Sequence, residues 1–182
     1  MVIEMTLAKR KSIKLKDYDY SSAGCYFVTI CVRDRMRILS SVRAEEVSID
    51  ENVLEFAENG NRENVRIGVE LTECGKVSER ELLQIPNRYA GVFIEKYVIM
   101  PDHIHAMVRI RWTSDTESVK VSLHDIICGF KSLVSRECSG RFGINQIFQR
   151  SYMEHIIRSK AEYNEIQEYI SKNPSRWYFS KR

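Results

Sequence analysis

"YVIMPDHIHAMVRI", residues 97–110, opens on four consecutive apolar or aromatic residues, breaks at Pro101-Asp102, and then resumes an apolar pattern that carries two histidines. The chain has four histidines in all, and His103 and His105 stand one residue apart. A Pro-Asp step between two runs of strand-forming residues is a turn signal, so 92–100 and 103–111 read as the arms of a β-hairpin. Apolar residues flank the pair on both sides, which predicts that 103–111 runs through the middle of a sheet. In a strand, residues two apart project from the same face. His103 and His105 therefore point together, from a segment where a polar ring has a desolvation cost unless it is paired. A divalent metal is one such partner, because neutral imidazole is a good ligand. A half-buried or solvent-facing strand surface is the plain alternative. Two histidines seldom complete a metal site, so a third ligand is expected.

The neighbouring segments supply the rest of a sheet. Residues 25–32, CYFVTICV, are rich in β-branched and aromatic side chains and read as a central strand. Residues 65–71 alternate apolar and polar and suggest another strand, whereas 47–55 fit a short strand or a helix equally. Residues 72–84 resemble a helix ended by Pro86-Asn87. Apolar residues at 123, 126, 127, 130, 133 and 134 have helical spacing, and predict a helix over 121–138. A strand falls within 147–157. The last helix covers 161–172 and stops at Asn173-Pro174, because the residue before a proline disfavours α geometry. The order β-α-β-β-α-β plus a terminal helix is that of an α+β, ferredoxin-like split βαβ fold. Its expected form is a central antiparallel sheet with helices packed on one face and the C-terminal helix lying across the sheet.

Composition narrows the function classes. At 182 residues the chain fits one domain, 1–182, with enough length for a core that needs no staple. A net charge of +3 permits an anionic partner without demanding one. Residues 1–20 form a basic N-terminal arm containing Lys9, Arg10 and Lys11, while 41–70 read as an acidic insertion or hairpin. The five cysteines include no CxxC pair, which argues against a disulfide frame or a thiolate zinc site. No run reaches membrane-spanning length and the first residues lack an apolar signal core, so a cytoplasmic protein is expected.

A second constellation lies in "FQRSYMEHIIRSKAEYNEIQEYISKNPSRW", residues 148–177. Glu165, Tyr169 and Asn173 are spaced i, i+4, i+8 and share a helical face. Ile166 and Ile170, with Tyr163, form an adjoining apolar stripe. By itself Tyr169 reads as an amphipathic core residue with its hydroxyl at the rim, Asn173 as a helix C-cap, and His155 as a structural strand residue.

Taken together, five stretches carry a resemblance: "KDYDYSSAGCYFVTICVRDR" at 16–35, "YVIMPDHIHAMV" at 97–108, "DIICGFKSLVSR" at 125–136, "FQRSYMEHIIRSKAEYNEIQEYISKNP" at 148–174, and the trailing "SRW". The chain resembles the single-tyrosine HUH transposases, and within them the REP-associated tyrosine transposases and their stand-alone relatives. Met-Pro-x-His-hydrophobe-His followed at this distance by Tyr-Ile-x-x-Asn-Pro is far more specific than two histidines alone. The resemblance implies that His103 and His105 form the metal-binding HUH motif, that Tyr169 is the nucleophile, and that Asn173 is the third, amide-type ligand. It implies cleavage and strand transfer of single-stranded or hairpin DNA through a 5′-phosphotyrosine, with Mg²⁺ or Mn²⁺, in a nucleoid-associated protein. Homodimers and monomers both occur in such a family, so either state is open.

Nine tyrosines are present, and Tyr152 and Tyr163 also lie near the C-terminal end. Tyr163 precedes Tyr169 by six positions, a rotation of roughly 240° on a helix. Tyr152 lies in an extended stretch. Only Tyr169 is followed four residues later by an asparagine. DNA contacts are expected from Lys9, Arg10, Lys11, Lys131, Arg150, Arg158 and Arg176, with Arg33, Arg35 and Arg136 as further candidates. Tyr18, Tyr20 and Tyr152 are candidates for base stacking, though packing is their plainer role. Two departures stand out: Asp102 occupies a position where many relatives have Asn, and 41–70 is longer and more acidic than the usual hairpin. Two other classes fit the residues: a domesticated DNA-binding protein without transposition, and a metal-dependent hydrolase using His103, His105 and His155.

Overall fold

Antiparallel pairing of four strands organises the chain. The computed structural model describes residues 22–46, 65–114 and 120–180. Strands β1 (Gly24–Cys31), β4 (Val92–Ile99), β5 (His103–Ile110) and β6 (Met153–Ile157) form a sheet in the order β4-β5-β1-β6. Every neighbouring pair is antiparallel, which is the split-βαβ arrangement. β5 has a partner on each side, as its apolar flanks require. The β4–β5 turn is pinned from several directions: Met100 N donates to the His103 carbonyl (2.8 Å), Val32 N to the Asp102 carbonyl (2.8 Å), and Leu39 N to the Pro101 carbonyl (3.1 Å).

Strands β2 (Ser40–Glu46) and β3 (Val65–Leu71) form a separate two-stranded ladder at the two ends of the 41–70 segment. The 47–55 stretch lies outside the described residues, as does the basic arm with Lys9, Arg10 and Lys11.

Helices α1 (Glu73–Leu83) and α3 (Leu123–Phe142) are long enough to cover the sheet, and a single turn, α2 (Ile85–Arg88), holds Pro86 at an early position where its missing N–H costs nothing. Thr72 caps α1 by accepting from Gly75 N (3.1 Å), and Ser122 caps α3 by accepting from Asp125 N (3.1 Å). Gly75 is required by contact: a Cβ there would lie 1.9 Å from the Leu39 carbonyl oxygen. α3 ends on Gly143 in the left-handed region, φ 68°.

The main core packs one face of the sheet, Tyr26, Val28, Ile30, Ile104, Ala106, Val108 and Ile110, against Val77 and Leu82 of α1 and Ile126, Ile127, Phe130 and Val134 of α3. Helix α4 (Lys160–Phe179) covers the opposite face through Ile170, with Tyr163, Ile166 and Tyr169 beside it, against Cys25, Phe27, Met107 and Val98. The expectation of helices on one face is therefore corrected to three layers. β5 is buried on both sides, so its sequence lacks the alternation that distinguishes a covered face from an open one.

A second correction concerns the end of α4. The helix runs through Pro174 to Phe179, and Ser180 is its C-cap. Proline removes one backbone donor and restricts the residue before it. The buried Asn173 and the half-buried Trp177 hold the last turns in place despite that loss.

Candidate active site

The period of two along β5 sends His103 and His105 to the α4 face, with ring centroids 4.5 Å apart. Both are buried, at 8 % and 5 % exposure. Each has its Nδ1 engaged. His103 Nδ1 is 2.5 Å from Asp102 Oδ1, and a carboxylate only accepts, so this nitrogen carries the proton and donates it. His105 Nδ1 lies 2.9 Å from the Thr29 hydroxyl, across the β1–β5 register where Thr29 opposes His105. Burial lowers the pKa of both rings. For His103 the Asp102 contact opposes that shift, whereas for His105 the neighbouring His103 and Arg35 reinforce it and bring the value to about 3. Both rings are thus neutral near pH 7. Phe27 stacks on His105 with centroids 5.1 Å apart and planes 28° apart, fixing that ring further.

Helix α4 brings the second constellation to the same place. Tyr169 Oη is 3.4 Å from His105 Nε2, and the two rings meet edge-on with centroids 5.3 Å apart. With Nε2 accepting from the phenol, the Nδ1 proton of His105 goes to Thr29 Oγ1. Asn173, one turn along and 7 % exposed, meets His103 through its side chain. Arg176 lies over the Tyr169 ring, 5.4 Å from its centroid. Arg35 approaches Asp102 at 3.7 Å and places a second cation at the rim.

The donor set fits a divalent metal. With both Nδ1 atoms committed to Asp102 and Thr29, the lone pairs available to an ion are on the two Nε2 atoms, and oriented neutral imidazoles of this kind are typical of metal sites. Asn173 adds an amide oxygen. Among the described residues no three His, Cys, Asp or Glu side chains gather as a metal site; the further polar side chain beside the two rings is the Asn173 amide. His155 does not join the pair; its Nε2 is engaged by Glu162.

The other tyrosines go elsewhere. Tyr163, in the first turn of α4, accepts a hydrogen bond from Gln167 (3.0 Å) and lies between Arg109 and Lys160. Tyr152 stacks against His124 of α3 and packs on the main core. The basic candidates are dispersed. Lys131 donates to the Arg150 carbonyl (2.8 Å), and burial lowers its pKa. Arg150 lines a depression with Arg33 and Gln146, and Arg158 lines another with Arg109, Arg111 and Lys160. Of these side chains only Arg176 is beside the tyrosine. Thr29, Phe27 and Trp177 were not singled out from sequence. Thr29 and Phe27 reach the histidines through strand register, and Trp177 through the extension of α4, whose ring lies 5.9 Å from His103.

Comparison with known proteins gives the family and the fold. The family described as IS200-like transposase matches residues 76–173, a span that includes His103, His105, Tyr169 and Asn173. An uncharacterized protein of Haemophilus influenzae is 27 % identical over 183 aligned positions, covering 92 % of this chain and 89 % of the relative. The fold is similar to that of a REP-associated tyrosine transposase solved bound to a REP hairpin, with a TM-score of 0.56, 18 % identity, and coverage of 94 % of this chain and 74 % of that one. No described helix is long and apolar enough to cross a membrane. With the family match spanning more than half of the sequence and the same fold in a solved relative, the chain belongs to the IS200-like transposases.

Proposed function

We propose that the protein cuts and rejoins single-stranded or hairpin DNA, with Tyr169 as the nucleophile. The observation that carries this reading is the 3.4 Å approach of Tyr169 Oη to His105 Nε2, on the helical face that also brings buried Asn173 to His103. The phenolic oxygen attacks the scissile phosphorus, an Oη–P bond forms, and the P–O3′ bond breaks. The phenol loses its proton and the departing 3′ oxygen takes one up, so the products are a 5′-phosphotyrosine and a 3′-hydroxyl. Attack by a 3′-hydroxyl on the phosphotyrosine reverses these bond changes and joins strands without an external energy source.

His103, His105 and Asn173 are the residues that would hold the metal. A bound divalent ion supplies charge stabilisation at the phosphate. Mg²⁺ favours oxygen donors and Mn²⁺ accepts imidazole more readily, so both are expected to support the reaction. Asp102 and Thr29 aim the two rings, Phe27 keeps water from one face of His105, and Arg176 brings positive charge to the tyrosine. Tyr169 reaches His105 of its own chain, which supports cleavage in cis, an arrangement compatible with a monomer or a homodimer. The solved relative's REP hairpin supports a structured, partly single-stranded DNA substrate.

The test is incubation of the protein with labelled hairpin DNA bearing single-stranded flanks, in Mn²⁺, followed by denaturing electrophoresis. A covalent complex whose mass maps to Tyr169 is the expected result. Free ends without an adduct identify a hydrolase, binding without cleavage identifies a DNA-binding protein, and an adduct at Tyr152 or Tyr163 displaces the nucleophile.

A further inference from the structure

Trp177 follows Asn173 by one turn of α4, so the nucleophile, the amide and an indole succeed one another along one side of the helix. The indole is tilted 51° to His103 at a centroid distance of 5.9 Å. It also lines a cavity of about 500 Å³, together with Tyr178, Pro101, Arg37 and the Ser40-Ser41-Val42 start of β2. That volume lies within the ordinary range of ligand pockets, about 300–1,000 Å³. Pro101 immediately precedes Asp102, so the cavity adjoins the turn that orients His103. The Arg37 guanidinium sits 5.7 Å from the indole centroid, and no carboxylate pairs with Arg37 among the described residues.

Neither the His-Tyr-Asn chemistry nor the apolar cores use this cavity. Its parts are a flat aromatic surface, aliphatic walls and an exposed cation, beside the place proposed for the scissile phosphate. An unpaired nucleotide needs those parts: a π-face for its base and a positive charge for its phosphate. We infer that the cavity receives a nucleotide flanking the scissile phosphate, its base stacked on Trp177 and its phosphate met by Arg37. This rests on the reading of Tyr169 as the nucleophile and adds the seat of the neighbouring nucleotide.

The chain has two tryptophans, so Trp112→Phe leaves Trp177 as the only indole, and Tyr169→Phe in the same protein removes the chemistry. Two probes are titrated into that double variant: an octathymidylate, and an abasic octamer of equal length and charge. Saturable quenching of the indole emission by the octathymidylate, and little by the abasic octamer, is the expected result. Adding Trp177→Ala is expected to weaken octathymidylate binding by about tenfold, measured by anisotropy, with no change for the abasic octamer. Arg37→Ala is expected to weaken both. Absent quenching, equal quenching by both probes, or an equal loss for both on removing Trp177 overturns the inference. The quenching readout needs no variant of Trp177, so misfolding of Trp177→Ala does not shield the idea. Because the background has no nucleophile, failure of DNA cleavage in the native protein and failure of base stacking are separate results.

Discussion

The two faces of strand β5 are built from the same eight residues and do different work. Ile104, Ala106, Val108 and Ile110 face α1 and α3 and are almost wholly buried in the main core. His103, His105 and Met107 face α4, where the company is Thr29, Phe27, Tyr169 and Asn173. On the first face each side chain is held by contact area, so what matters is volume. On the second the two histidine Nδ1 atoms each have a named partner, so what matters is direction. A strand that alternates every residue can carry both at once, and a substitution on one face is expected to leave the other largely intact.

Six substitutions test that separation. Tyr169→Phe removes one oxygen and almost no packing; it is expected to abolish the covalent DNA adduct while hairpin DNA still binds with nearly native affinity, as gel-shift and denaturing gels run side by side will show. His103→Ala and His105→Ala are each expected to abolish Mn²⁺-dependent cleavage with the thermal transition retained; cleavage surviving in the double variant removes the metal assignment. On the opposite face, Phe130→Ala empties a fully buried site beside Phe148 and is expected to cost about 3–5 kcal/mol of stability in denaturant unfolding, with adduct formation per folded molecule unchanged. The smallest effects belong to the residues that aim the rings. Asp102→Ala and Thr29→Val are expected to weaken Mn²⁺ binding by about 10–100-fold each, read by calorimetry, since such supporting contacts typically contribute that much. Native affinity in both would mean that ring orientation is set by packing alone.

The parts of this site that were legible in the sequence are those carried by local spacing. Pro101-Asp102 between two apolar runs marks the β4–β5 turn, and the histidines two apart on β5 follow from strand geometry. The i, i+4 spacing of Tyr169 and Asn173 places them together before any tertiary contact is known. Thr29 was invisible because its role depends on which residue of β1 lies opposite His105, and register is settled by the whole sheet. Asp102 was noticed as a departure beside the motif, but its bond to His103 Nδ1 needed the turn geometry that the surrounding backbone imposes. Trp177 was lost to the proline rule. Pro174 marked a helix end on local grounds, while burial of Asn173 and the contact of Trp177 with His103 carry the helix onward. The segment joining β2 and β3 gave only its charge.

The unbroken course of α4 makes it a single mechanical lever. Tyr169 and Asn173 are fastened to the same rod, so they travel together or not at all. In the proposed reaction, a DNA end attached to Tyr169 could not be swung away from the histidines unless Asn173 were withdrawn from them in the same stroke. Release of the helix from the sheet would therefore disarm the site as it moves its cargo, and re-seating would rearm it. On the proposed mechanism the linkage would act as an interlock, leaving the joined strand reactive only while the helix is docked.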